Sequence, residues 1–123
     1  MTELTHVQAL TAARELLSNK AKWTTRLYAK GKHKESVDPI SEEATCFCSL
    51  GALMRVNGHS KDIYDRLDGG LAGEDALHEA ATRMIRKYAR NEGVNGTVGF
   101  NDQYGHAKVL EMFDLAIELA KEG

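Results

Sequence analysis

SEEATCFCSLGALMRVNG, Ser41 to Gly58, is the stretch on which the fold turns. It holds the densest apolar run of the chain, Cys46 to Leu53, and both cysteines. Ser41-Glu42-Glu43 reads as a helix start, a hydroxyl cap followed by two carboxylates in the electropositive first turn. From Ala44 to Val56 the sequence is apolar almost all round, and Asn57-Gly58 supplies a stop. A helix apolar on every side belongs in the interior. The stretch therefore predicts a buried central helix.

On such a helix one intervening residue sets the thiols of Cys46 and Cys48 about 200° apart around the axis. They then cannot hold one ion together or form a disulfide without unwinding. There is no second Cys pair, and His6, His33, His59, His78 and His106 show no metal-binding spacing. Both thiols are expected in the core, with no metal and no cofactor. Gly51 costs about 1 kcal/mol relative to alanine in mid-helix, which calls for a close approach by another helix or an aromatic side chain.

Working outward, Val7, Leu10, Ala13 and Leu17 recur at helical spacing over Thr5–Asn19, and Thr5 with Gln8 resembles a capping box. Residues 20–40 hold no period and reach Asp38-Pro39, so a short helical turn or irregular stretch anchored by Trp23, Leu27 and Tyr28 is expected. Ser60 can cap a short helix over 61–67. Glu74–Arg90 carries one apolar face (Leu77, Ala81, Met84, Ile85, Tyr88). Residues 91–105 read as a glycine-rich connection with a short extended piece at Thr97–Phe100. His106–Lys121 closes the chain with Val109, Met112, Phe113, Ala116, Ile117 and Ala120 on one face. The expectation is an all-α domain spanning 1–123, about five helices packed around the buried one.

The 123 residues suffice for a core without staples, and 42% apolar with 28% charged residues excludes disorder. No apolar run approaches the roughly 20 residues of a membrane span. The opening MTELTHVQAL has neither a basic leader nor a signal-type apolar stretch, so a cytoplasmic protein with reduced thiols and no membrane partner is expected. The net charge of -2 is unevenly distributed. Lys20, Lys22, Arg26, Lys30, Lys32 and Lys34 stand in one segment with no acidic residue. Elsewhere the acidic residues dominate, so this segment is a candidate contact surface for an anion or an acidic partner, and equally a solvated loop.

Three constellations carry chemistry. The basic segment interleaved with Trp23 and Tyr28 can bind nucleic acid, but the mildly acidic pI of about 6.2 argues against it and Trp23 is better read as a core anchor. Phe100-Asn101-Asp102-Gln103-Tyr104-Gly105-His106 has the look of a binding loop, although Asn101 or Asp102 can instead cap the last helix. A nucleophilic Cys48 working with His106 or Asp102 is the enzymatic alternative. Glu42 and Glu43 at the same helix end would oppose thiolate formation at the neighbouring Cys46. No P-loop, dinucleotide fingerprint or protease motif is present.

Trp23, Ala44-Thr-Cys-Phe-Cys-Ser-Leu-Gly-Ala-Leu53, Phe100-Asn101-Asp102, and Val109, Phe113 and Ala116 resemble the ordered landmarks of a family of small uncharacterised proteins of bacteria and their phages. The family's cysteine falls on Cys48 and its Asn-Asp pair on Asn101 and Asp102. Cys46 has no regular counterpart, and Phe100 stands where a tryptophan is usual. The resemblance implies a compact single domain and brings no activity with it.

The functional expectation is a binding or interaction module rather than an enzyme. Its contact residues are Lys20, Lys22, Arg26, Lys30, Lys32, Lys34, Asn101, Asp102, Tyr104 and His106. The partner is a protein or a small anionic ligand, with nucleic acid as the less favoured choice. Encoded by a phage or mobile element, such a chain would modulate a host protein or sequester the ligand.

Overall fold

Thr5 opens the first helix as its sequence spacing predicts. Its side chain accepts from the Gln8 amide while the Gln8 side chain accepts from the Thr5 amide, closing a capping box. The computed structural model describes residues 4–66, 70–88 and 96–123. Among these, α1 spans His6–Leu17 and a 3-10 turn Lys20–Lys22. Strands β1 and β2 are Ala29–Lys30 and Cys46–Phe47, and α2 is Ser49–Asn57. Helices α3, α4, α5 and α6 are Lys61–Arg66, Glu74–Tyr88, Gly96–Tyr104 and His106–Glu122. The chain is an all-α bundle with one minimal sheet, and it has six α-helices in the described residues where about five were expected.

Helix α4 packs along α6, and α1 fits between α2 and α6. The contact is made by Leu10, Ala13 and Leu17 of α1, Leu53 and Met54 of α2, Leu77 and Ala81 of α4, and Val109, Met112, Phe113 and Ala116 of α6, all buried. These are the apolar stripes of the sequence, and each large side chain fully buried contributes roughly 1.5–3 kcal/mol. No described helix is long and apolar enough to cross a membrane.

The central helix is buried as expected, but it starts late. Residues 41–45 form a turn and an extended stretch, in which Ser41 Oγ accepts from the Glu43 amide rather than opening a helix. Thr45 and Phe47, residue types that favour strands, then continue into β2. That strand runs antiparallel to β1, with Ala29 opposite Phe47 and Lys30 opposite Cys46. Cys48 is the N-cap of α2, its sulfur accepting from the Gly51 amide at 3.3 Å. The two thiols therefore do not share a helix, and the 200° argument does not apply. Both are free, Cys48 buried and Cys46 half-buried.

A second correction concerns 91–105. Residues 89–95 lie outside the described set, as do the expected ends of the 61–67 and 74–90 helices. Gly96 to Tyr104 is helix α5, including the Thr97–Phe100 piece expected to be extended. Thr97, Phe100 and Asn101 are buried on it, and tertiary burial overrides the weak local propensity of Gly and Thr. Within the described part of that connection, Gly105, at φ 85°, is the break before α6.

Candidate ligand cleft between the basic strap and α5

Between the end of the 3-10 turn and β2 the chain runs as an irregular strap over the start of α2. Its backbone is stitched to β2: the Thr24 amide donates to the Phe47 carbonyl, the Cys48 amide to the Tyr28 carbonyl, and the Thr45 amide to the Lys30 carbonyl. Gly51 permits this approach. A Cβ there would run into the Tyr28 carbonyl oxygen, so the neighbour that the mid-helix glycine calls for is strap backbone, neither a helix nor a ring.

Asn101 of α5 ties the strap down. Its side chain is fully buried. Oδ1 accepts from Trp23 Nε1 at 2.9 Å, the Ser49 amide at 2.9 Å and Ser49 Oγ at 2.7 Å. Nδ2 donates to the Thr24 carbonyl at 3.0 Å and to Asp102 Oδ1 at 3.2 Å. Ser49 is the first residue of α2, so its amide has no partner within the helix and Asn101 supplies one. Asp102, one residue further on and exposed, receives the Arg26 amide on Oδ1 at 2.9 Å. Arg26 adopts φ 73°, a left-handed conformation costly for a residue with a side chain, and the Asp102 carboxylate holds it there.

A cleft of about 270 Å³ opens beside this contact. The strap lines it with Arg26, Leu27, Tyr28, Ser36 and Val37, α3 with Lys61, and α5 with Val98 and Asp102; Cys48 also borders it. The Cys48 thiol is pushed up to about 11, first by burial and further by the Asp102 charge, against the lowering effect of backbone amides of α2. It is a protonated thiol at neutral pH. Burial also raises Tyr28 above its ordinary value, with smaller contributions from Cys48, Asp65 and Glu74.

The sequence-predicted contact residues divide into three groups. Arg26 and Asp102 meet at the cleft. Lys20 and Lys22 are exposed on the 3-10 turn, Lys32 and Lys34 are exposed along the strap, and Lys30 is half-buried in β1. None of the six cations forms an ion pair among the described residues. Asn101 is buried, and Tyr104 and His106 are half-buried against other parts of the chain. Tyr104 stacks on Phe100 with ring centroids 4.8 Å apart. His106 Nε2 lies 2.6 Å from the Leu17 carbonyl, which can only accept, so this nitrogen carries the proton and closes the end of α1. Its ring sits 5.7 Å from that of Trp23. Asp102, not His106, shares the cleft with Cys48, and its charge opposes thiolate formation.

Lys61, Val37 and Val98 were not legible as site residues. Lys61 arrives through a contact 23 residues away in sequence, its amide donating to Asp38 Oδ2. No three His, Cys, Asp or Glu side chains among the described residues are grouped to hold a metal.

Comparison with known proteins gives one match: the model of a family of unknown function, DUF6197, covers residues 1–119. This agrees with the expected membership of a family of unknown function. No curated protein and no solved structure matches the chain.

Proposed function

The chain belongs to DUF6197, and we propose that this protein is a small binding module that recognises an organic carboxylate at the Arg26–Lys61 cleft. The supporting observation is the Arg26–Asp102 contact, which fastens the basic strap to α5 beside a cleft bordered by two cations without ion-pair partners among the described residues. One carboxylate against two cations leaves a lining of +1. That suits a ligand with a single carboxylate better than a phosphodianion or a nucleic-acid backbone. Leu27, Val37 and Val98 give the ligand's carbon skeleton an apolar wall. The free cysteines suit a reducing cytoplasm. In a phage or mobile element the module would sequester the ligand or engage an acidic site on a host protein.

Titrating the full 15N-labelled chain with N-acetyl-leucine tests this reading. Amide shifts are expected at Leu27, Lys61, Val98 and Asp102, weakened by salt and lost in the Arg26→Gln, Lys61→Gln double variant. Equal shifts in that variant, or none in the parent protein, would refute it.

A further inference from the structure

The cleft's opposite charges narrow the ligand further, on the footing of the carboxylate reading above. Asp102 spends Oδ1 on the Arg26 amide and on Asn101 Nδ2. Its Oδ2 has no hydrogen-bond donor among the described residues, and the side chain borders the cleft. An acceptor of full negative charge therefore stands next to Arg26, with Lys61 on the same lining. A ligand matched to this wall presents an anion and a cationic donor side by side, with an apolar remainder toward Leu27, Val37 and Val98.

Volume limits the remainder. A cleft of about 270 Å³ lies just below the roughly 300–1,000 Å³ of pockets for drug-sized ligands. Leucine is a small molecule of that scale, and its ammonium and carboxylate share one carbon.

We propose that the cleft binds a free α-amino acid with an apolar side chain, its carboxylate on Arg26 and Lys61 and its ammonium on Asp102. The protonated Cys48 thiol adds a soft, uncharged surface beside the side chain. A peptide C-terminus offers the carboxylate without the neighbouring ammonium, and a peptide N-terminus offers the reverse. Each loses one of the two contacts, and the wall charge it should have met is left unpaired.

Calorimetric titration of the full chain with leucine, N-acetyl-leucine and leucinamide separates these cases. Leucine is expected to bind at least tenfold tighter than either analogue. Asp102→Asn keeps an oxygen for the Arg26 amide but removes the charge. It should weaken leucine and, by removing a carboxylate that N-acetyl-leucine leaves unpaired, tighten N-acetyl-leucine, so that the preference for leucine is lost. If N-acetyl-leucine matches leucine in the parent protein, the amino-acid inference is overturned while the carboxylate reading stands. If leucinamide matches leucine, the inference falls because the carboxylate is then idle. Binding of none of the three overturns both.

Discussion

Replacing Asn101 with alanine removes the single side chain that joins α5, α2 and the strap. It deletes five hydrogen bonds and leaves the Ser49 amide, Trp23 Nε1 and the Thr24 carbonyl without their Asn101 partner. Asn101 and Ser49 are both fully buried, and a buried polar group left unpaired costs about 1–3 kcal/mol. Ser49 Oγ can rotate to another acceptor, and Trp23 is half-buried, so two full penalties and a partial one are the fair count. The variant should lose about 3–5 kcal/mol out of a total stability of roughly 5–15 kcal/mol. With a urea m-value of about 2 kcal/mol/M, the midpoint falls by about 2 M. Far-UV circular dichroism should report it, because Trp23 emission would sense the local change as well as unfolding. A loss under about 1 kcal/mol would mean water or a neighbouring group replaces Asn101 freely, and the hub argument would be wrong. Trp23→Phe gives the internal control. Alone it should cost about 1 kcal/mol, and in the Asn101→Ala background much less, since the partner is already gone.

Two further outcomes follow from the same region. Gly51→Ala should destabilise the fold by at least 3 kcal/mol by urea titration, despite alanine's better helix propensity, because its Cβ collides with the Tyr28 carbonyl and that carbonyl holds the Cys48 amide. The buried Cys48 thiol makes stability fall with alkaline pH. Its folded value of about 11 lies above the thiol's ordinary value of 9.0, so the folded state retains a proton that the unfolded state releases between them. The stabilisation is full below pH 9 and is lost toward pH 11, by about 2–3 kcal/mol. Tyr28 and Tyr64, also raised by burial, steepen the fall above pH 10. The difference between parent and Cys48→Ala profiles isolates the thiol, and parallel profiles would refute its assignment.

The long helices were legible because each needs one apolar stripe, and α1, α4 and α6 display theirs at regular spacing. The late start of α2 and the whole of α5 were not, for reasons visible in particular residues. Ser41-Glu42-Glu43 satisfies the local rules for a helix start, yet its hydroxyl closes a turn, and the cap of α2 is Cys48, a residue type without a capping reputation. Asn101 looks like a solvated loop residue because its partners, Trp23, Thr24 and Ser49, lie 52 to 78 residues away. A helix whose buried face includes an asparagine leaves no apolar period to detect. The charge run was visible from the start. That Arg26 alone of its six members reaches the cleft depends on an Asp102 contact across 76 residues.

The adjacency of Asn101 and Asp102 joins these two halves of the molecule. Successive residues on a helix point about 100° apart, so one turn of α5 sends an amide into the closed hub and a carboxylate to the open cleft. Any shift of α5 that moved Asp102 would also break the four bonds of Asn101 to Trp23, Thr24 and Ser49. The α5 side of the cleft is thereby tied to the core behind it. The left-handed backbone at Arg26 is consistent with this, since such a conformation persists only where its surroundings over-determine it. Ordering of the wall's backbone is then met during folding and not again on binding, which lowers the cost of holding a ligand of few atoms. The hydrogen bonds that make Asn101 costly to remove thus also fix the geometry that the amino-acid site requires.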